Sequence, residues 1–99
     1  KLVLTLWEQS KDRFEKERAG LHHLSFQVST IHEVREIENK LRALKVHFLY
    51  EGIVPHAEGA KSGGIFFEDP DGIRLEVYSP TGAEDNIAPT PGAPSCGFF

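Results

Sequence analysis

The chain has 99 residues, 39% of them hydrophobic and 26% charged, with a formal net charge of -4. That length holds one domain with a modest core, and an acidic balance without a basic stripe argues against nucleic acid or anionic membrane as a partner. No apolar run approaches the ~20 residues that span a bilayer, no secretory leader pattern opens the chain, and the single cysteine, Cys96, leaves no intrachain disulfide, which fits a reducing cytoplasm.

Residues 1–8 (KLVLTLWE) alternate, with Leu2, Leu4 and Leu6 on one side and Val3, Thr5 and Trp7 on the other. That period of two predicts a strand. The chain contains no methionine, and it opens inside a strand pattern, so the expectation is a piece of a longer protein. Residues 9–20 are highly charged, close on Gly20, and read as a solvated connector. In residues 21–28 (LHHLSFQV) His22, Leu24, Phe26 and Val28 share one face; Leu21, His23, Ser25 and Gln27 share the other. The first face reads as core, the second as a cavity wall.

Thr30 with Glu33 three positions on forms a capping box, and Ile31, Val34, Ile37, Leu41 and Leu44 follow at helical spacing. The opposite side carries Glu36, Lys40 and Arg42, so this helix covers a sheet. Residues 45–51 predict a second strand, residues 52–63 a Gly-containing loop, and residues 64–69 a third strand. Asp69-Pro70-Asp71-Gly72 is a tight turn, with Pro preset for the first bend and Gly free to take positive φ. Residues 73–79 are the last strand. After Pro80 come three more prolines and little apolar content before Phe98 and Phe99. This tail is expected to be mobile or to lie on another surface.

In the last strand Leu75 and Val77 face one way, while Arg74, Glu76 and Tyr78 face the other. If this strand neighbours residues 21–28 in a curved sheet, His23 and Glu76 project into one cavity. Imidazole nitrogen and carboxylate oxygen suit a borderline divalent ion at ~2.0–2.2 Å. A lone strand His is more often structural and a strand Glu more often faces water, so spacing alone leaves both readings open.

Residues 20–80, reading GLHHLSFQV, then a helix, then GGIFFEDPDGIRLEVYSP, resemble the vicinal oxygen chelate superfamily. That group includes glyoxalase I, bleomycin-resistance proteins, fosfomycin-resistance enzymes, methylmalonyl-CoA epimerase and extradiol dioxygenases. The resemblance implies an α+β fold, a βαβββ module with a curved mixed sheet and a covering helix. It divides the chain into the last strand of an upstream module (1–8), a connector (9–20), the module itself (21–80) and a Pro/Gly-rich C-terminal tail (81–99). A G-x-x-H opening puts a metal ligand on His23, and the strand after the D-P-D-G turn puts a ligand and catalytic group on Glu76. Thr5 aligns with Glu76 in the preceding strand and is a poor ligand. The implied site therefore has three ligands, the third a His from upstream residues, and it is completed by pairing with an upstream module or with a second copy in a homodimer.

The resemblance further implies a divalent ion, with Fe, Mn, Zn, Ni and Mg all compatible, and a small oxygenated metabolite as substrate. Glyoxalase-like lyase, isomerase or transferase chemistry is favoured over ring cleavage, because Phe66 stands where the extradiol branch has a Tyr. The alternatives are an extradiol Fe(II) dioxygenase and a metal-free small-molecule binding protein of the bleomycin-resistance kind. Ser25, Gln27, Phe66, Arg74, Tyr78 and His56 are the candidate pocket residues, with Arg74 suited to a substrate anion and Trp7 a possible apolar wall. His56 sits slightly too far back in its loop for the upstream His of the extradiol pattern. His22 is expected on the core face, His32 exposed in the first helical turn, and His47 at an edge or the cavity. The loop 52–63 has glycines that can act as hinges over a substrate.

Overall fold

The computed structural model describes residues 1–97; Phe98 and Phe99, the apolar pair that closes the expected tail, lie outside the described residues. The elements run β1 (Leu24–Gln27), α1 (Ile31–Ala43), β2 (His47–Phe48), β3 (Val54–Pro55), β4 (Gly63–Glu68) and β5 (Arg74–Ser79), followed by one 3-10 turn at Ser95–Gly97. The sheet order is β1-β5-β4-β2, with β3 also paired to β4. β1 lies parallel to β5, and the other pairs are antiparallel. This is the open, curved mixed sheet with one helix that the α+β expectation describes. The parallel pair is possible because the chain from α1 to β4 supplies the long connection that parallel neighbours need.

α1 starts where Thr30, in an extended conformation, accepts a hydrogen bond from Glu33 N at 3.2 Å. Its buried centre is Val34, fully excluded from solvent, with Ile31, Ile37 and Leu41 packed around it against Ile53, Ile65, Phe67, Val77 and Ala83. Leu44, expected in this stripe, is instead 74% exposed. The helix ends one residue earlier, and Leu44 caps it. Lys45 then takes φ 59°, with Lys45 N bonding Arg42 O and Val46 N bonding Leu41 O, the paired bonds that close a helix through a left-handed residue. Glu38 is buried on the same helix, and Arg42 donates to it from Nε at 3.1 Å and Nη2 at 2.8 Å.

Strand registers place the side chains. Ile65 pairs with Val77 and Phe67 with Leu75, all four on the helix side. Phe66 pairs with Glu76, and Ser25 with Glu76 from the other strand, so these project from the opposite face. Between β4 and β5, Asp69 Oδ1 accepts from Asp71 N and Ile73 N, each at 2.9 Å, and Gly72 takes φ 85°. The expected turn therefore forms, and its Gly is required for the left-handed bend. Gly64, opposite Tyr78, has no room for a Cβ, which would run into the Val77 and Tyr78 backbone.

The structure differs from the sequence reading at several points. Residues 1–8, expected as the last strand of an upstream module, are in no strand of the described structure, and Leu2, Val3, Leu6 and Trp7 are each at least 75% exposed. Alternation prepares a strand, but only hydrogen-bonding to a neighbour makes one, and among the described residues no strand pairs with it. Trp7 lines a hollow of about 340 Å³ with Asp71 and Ile73 among others, and is not among the residues that line the cavity around Glu76. The strands expected over 21–28 and 45–51 shrink to four and two residues, and the loop 52–63 contains the short strand β3. The tail is tied down: Ala83 and Ser95 are essentially fully buried, and Ala88 is buried too. Among the described residues no helix is long and apolar enough to cross a membrane.

Candidate functional site

The open face of the sheet gathers its polar groups around one carboxylate. Glu76, at the centre of β5, is 2% exposed. Oε1 receives His23 Nε2 at 3.1 Å, and Oε2 makes a short hydrogen bond with His56 Nε2. The Ser25 hydroxyl, beside Glu76 across the β1/β5 register, bonds to the carboxylate as well. A buried carboxylate without such partners would cost several kcal/mol; here each oxygen has a donor.

Each imidazole is held at its second nitrogen. His23 Nδ1 lies 2.7 Å from His22 Nδ1, and His56 Nδ1 lies 2.8 Å from Ser62 Oγ. With His23 donating from Nε2 to Glu76, its Nδ1 accepts from His22. For His23 to offer a lone pair at Nε2, the proton must sit on Nδ1 instead. His22, expected in the core, is thus exposed and paired with its neighbour. Arg74 Nε donates to the His22 carbonyl at 2.9 Å, which ties the His22-His23 backbone to β5.

The electrostatics follow from this geometry. Burial by itself raises the Glu76 carboxyl pKa, but the hydrogen bond and charge of His56, then the Ser25 and His23 hydrogen bonds, outweigh it and hold the group below its ordinary value. His22 is drawn below its ordinary value by partial desolvation first, then by the charges of Arg74 and His23. Burial first, and Cys96 second, push the Tyr50 phenol up.

A cavity of about 440 Å³ is lined by His23, Ser25, His56, Glu76, Tyr78 and Cys96. Phe66 is fully buried beside it, edge-on to Tyr50 at 5.3 Å and to His56 at 6.3 Å between ring centres. Tyr78 donates its hydroxyl to Gln27 Oε1 at 2.9 Å, closing the β1 side of the face. A larger hollow of about 520 Å³ lies by the D-P-D-G turn, lined by Arg13, Leu44, His47, Glu68 and Asp71 among others. Its one imidazole, His47, is exposed and paired with Glu68 at 3.1 Å, so it lacks a buried convergence of donors and is the weaker candidate despite its size. His47 therefore belongs to an edge, and His32, bonded to Glu36 at 3.0 Å, to the exposed helix surface.

Of the predicted residues, His23, Ser25, His56, Glu76 and Tyr78 meet at the cavity, Phe66 backs it, Arg74 braces it, and Gln27 sits at its rim. The distance along the chain that made His56 look misplaced is taken up by β3, which folds it back over β4. Sequence reasoning missed Cys96, Ser95 and Tyr50; no local pattern marks them, since Tyr50 meets Ser95 across 45 positions and Ser95 meets Pro55 across 40. For a divalent ion the donor chemistry of His23 and Glu76 fits: an imidazole nitrogen and a carboxylate that already face one another. Among the described residues no three or more His, Cys, Asp or Glu side chains are arranged to hold one ion, so the chain presents a partial donor set, closed on itself by hydrogen bonds.

Comparison with known proteins shows what the chain is similar to. Residues 3–77 match the family described as the Glyoxalase/Bleomycin resistance protein/Dioxygenase superfamily. The Bacillus subtilis (strain 168) protein YqjT, itself uncharacterized, is 36% identical over 64 residues, covering 65% of this chain and 50% of YqjT. The crystal structure of a glyoxylase/bleomycin resistance protein/dioxygenase domain from Frankia sp. EAN1pec is similar with a TM-score of 0.58 and 28% identity, over 73% of this chain and 53% of that one. A glyoxalase candidate from Bacillus halodurans is similar with a TM-score of 0.61 and 33% identity, over 77% of this chain and 57% of its own. This chain thus spans about half the length of the relatives it matches.

Proposed function

The chain belongs to the Glyoxalase/Bleomycin resistance protein/Dioxygenase superfamily, and from that premise we propose that it is the site-bearing part of a divalent-metal-dependent enzyme acting on a small oxygenated metabolite. The observation that carries the reading is the buried Glu76 carboxylate with His23 and His56 on its two oxygens, at the floor of an open cavity. Perturbed, partnered titratable groups in a cleft are what catalytic sites require.

His23 and Glu76 would hold the ion, with a further donor from a paired module, upstream or in a second copy. When bound, the ion polarises adjacent substrate oxygens as a Lewis acid. The residues themselves supply the rest. His22 sets which His23 nitrogen carries the proton. Glu76, held ionised by its neighbours, supplies negative charge. His56, between Ser62 and Glu76, can take or return a proton at Nε2. Phe66 keeps water from the back of the carboxylate. Lyase, isomerase or transferase chemistry is favoured over ring cleavage: Phe66 has no hydroxyl, and the Tyr78 hydroxyl is given to Gln27.

Mn²⁺ content of the full-length protein tests the proposal. Both His23→Ala and Glu76→Ala should lose stoichiometric Mn²⁺. Unchanged Mn²⁺ in both variants would refute it. A second reading, a metal-free binding protein, draws on the mutual hydrogen bonding of the donors, which satisfies His23, His56 and Glu76 without an ion. Tight binding of an apolar ligand by chelator-treated protein, indifferent to added Mn²⁺, would favour it.

A further inference from the structure

The C-terminal segment does something its composition does not announce. Ser95 is 1% exposed and grips two consecutive carbonyls: Oγ donates to Pro55 O at 2.6 Å, and its backbone N donates to His56 O at 2.7 Å. Its own carbonyl accepts the Tyr50 hydroxyl at 2.8 Å. The approach to Ser95 is tied to the same region, through Ala83 N to Lys61 O at 2.9 Å and Asn86 Nδ2 to Ile53 O at 3.0 Å.

His56 needs such support. β3 has only two residues, one of them Pro55 with no N–H to give. Past His56 the chain enters an exposed stretch at Ala57, Glu58 and Gly59. One backbone bond, His56 N to Ser62 O at 2.9 Å, ties it forward. A residue at the end of so short a strand would fray. Ser95 fastens it on the other side and, in the same turn, seats Cys96 in the cavity wall.

We infer that Ser95 is a positioning residue, a two-point clamp on Pro55 and His56 that aims the His56 imidazole at Glu76, and that the Ser95–Gly97 turn is a wall of the site. The inference rests on the site reading above for its importance but not for its geometry. Conformational freedom at Ser95 becomes freedom of His56 and a larger, looser cavity. Residues that orient a site group from behind typically carry about tenfold or more in its function.

The test uses the unaltered chain first. The Ser95 amide should exchange with solvent as slowly as the amides of β4; exchange at the rate of the 57–59 loop overturns the inference. Ser95→Ala then removes the bond to Pro55 O. Cys96 should react with a chromogenic aromatic disulfide about fivefold to tenfold faster, the population change that one net buried hydrogen bond supports. The ring ¹⁵N resonances of His56 should move, while those of His32, paired with Glu36, and His47, paired with Glu68, report an intact fold. Ser95→Thr, which keeps the hydroxyl, should restore both readouts toward the parent. Unchanged His56 resonances and Cys96 reactivity in Ser95→Ala would also overturn the inference, whatever the Mn²⁺ result. Loss of the Mn²⁺ assignment alone would remove the proposed activity and leave the clamp standing.

Discussion

Glu76→Gln tests most directly whether the charge at the centre of the site is held there by its neighbours. The carboxylate accepts from His23, His56 and Ser25. Hydrogen bonds to a charged group contribute about 1.5–3 kcal/mol each, against about 1 kcal/mol between neutral partners. The amide keeps one oxygen acceptor and turns an NH₂ toward the other imidazole, so at most two neutral bonds survive. A lower desolvation cost offsets part of the loss, leaving a destabilisation of about 2 kcal/mol near neutral pH. For a domain of this size that is a fall in Tm of about 10 °C. Urea unfolding of both proteins, repeated from pH 7 to pH 3.5, reads it out. The folded-state pKa of Glu76 lies below its unfolded value of 4.5. Its contribution is therefore complete above pH 4.5 and is lost as pH falls through the depressed folded value. The gap between parent and variant should hold between pH 5.5 and 4.5 and close below it. Equal stability at neutral pH, or a gap that widens on acidification below pH 4.5, would refute the reasoning.

Other outcomes follow from the same contacts. Phe66→Ala empties a fully buried position between Tyr50 and His56 and should cost about 3–5 kcal/mol in denaturant unfolding; a loss under 1 kcal/mol would show that the site collapses to fill the space. Lys45→Gly relieves a left-handed non-glycine residue at the helix end. A left-handed L-residue costs about 1–2 kcal/mol and the added glycine entropy about 0.5–1 kcal/mol, so the variant should gain about 0.5–1 kcal/mol in the same assay. Thr30→Ala removes the acceptor for Glu33 N and should lose about 1 kcal/mol, seen as a lower Tm with the sheet-side histidine resonances unmoved.

What sequence alone determined about this protein is what neighbours along the chain can determine. Thr30 and Glu33 mark the helix start because a cap is completed within one turn. Asp69 to Gly72 mark the turn because its bonds close within four residues. Period-two alternation puts Glu76 and Tyr78 on the face opposite Val77 because successive strand residues must point apart. The pairing of His23 with Glu76 did not follow from these local facts alone; the resemblance of residues 20–80 to a known family implied it, together with the βαβββ fold. Tertiary structure decided the rest, where the partner is far along the chain. His56 reaches Glu76 across 20 positions, through a two-residue strand too short to leave a periodic trace. Ser95 reaches Pro55 across 40 positions, from a segment whose prolines and small residues read as free chain until buried hydrogen bonds hold it. Residues 1–8 show the same division in reverse: their alternation is plain in the sequence, yet they form no strand here, because a strand exists only where another strand's N–H and C=O groups meet its own.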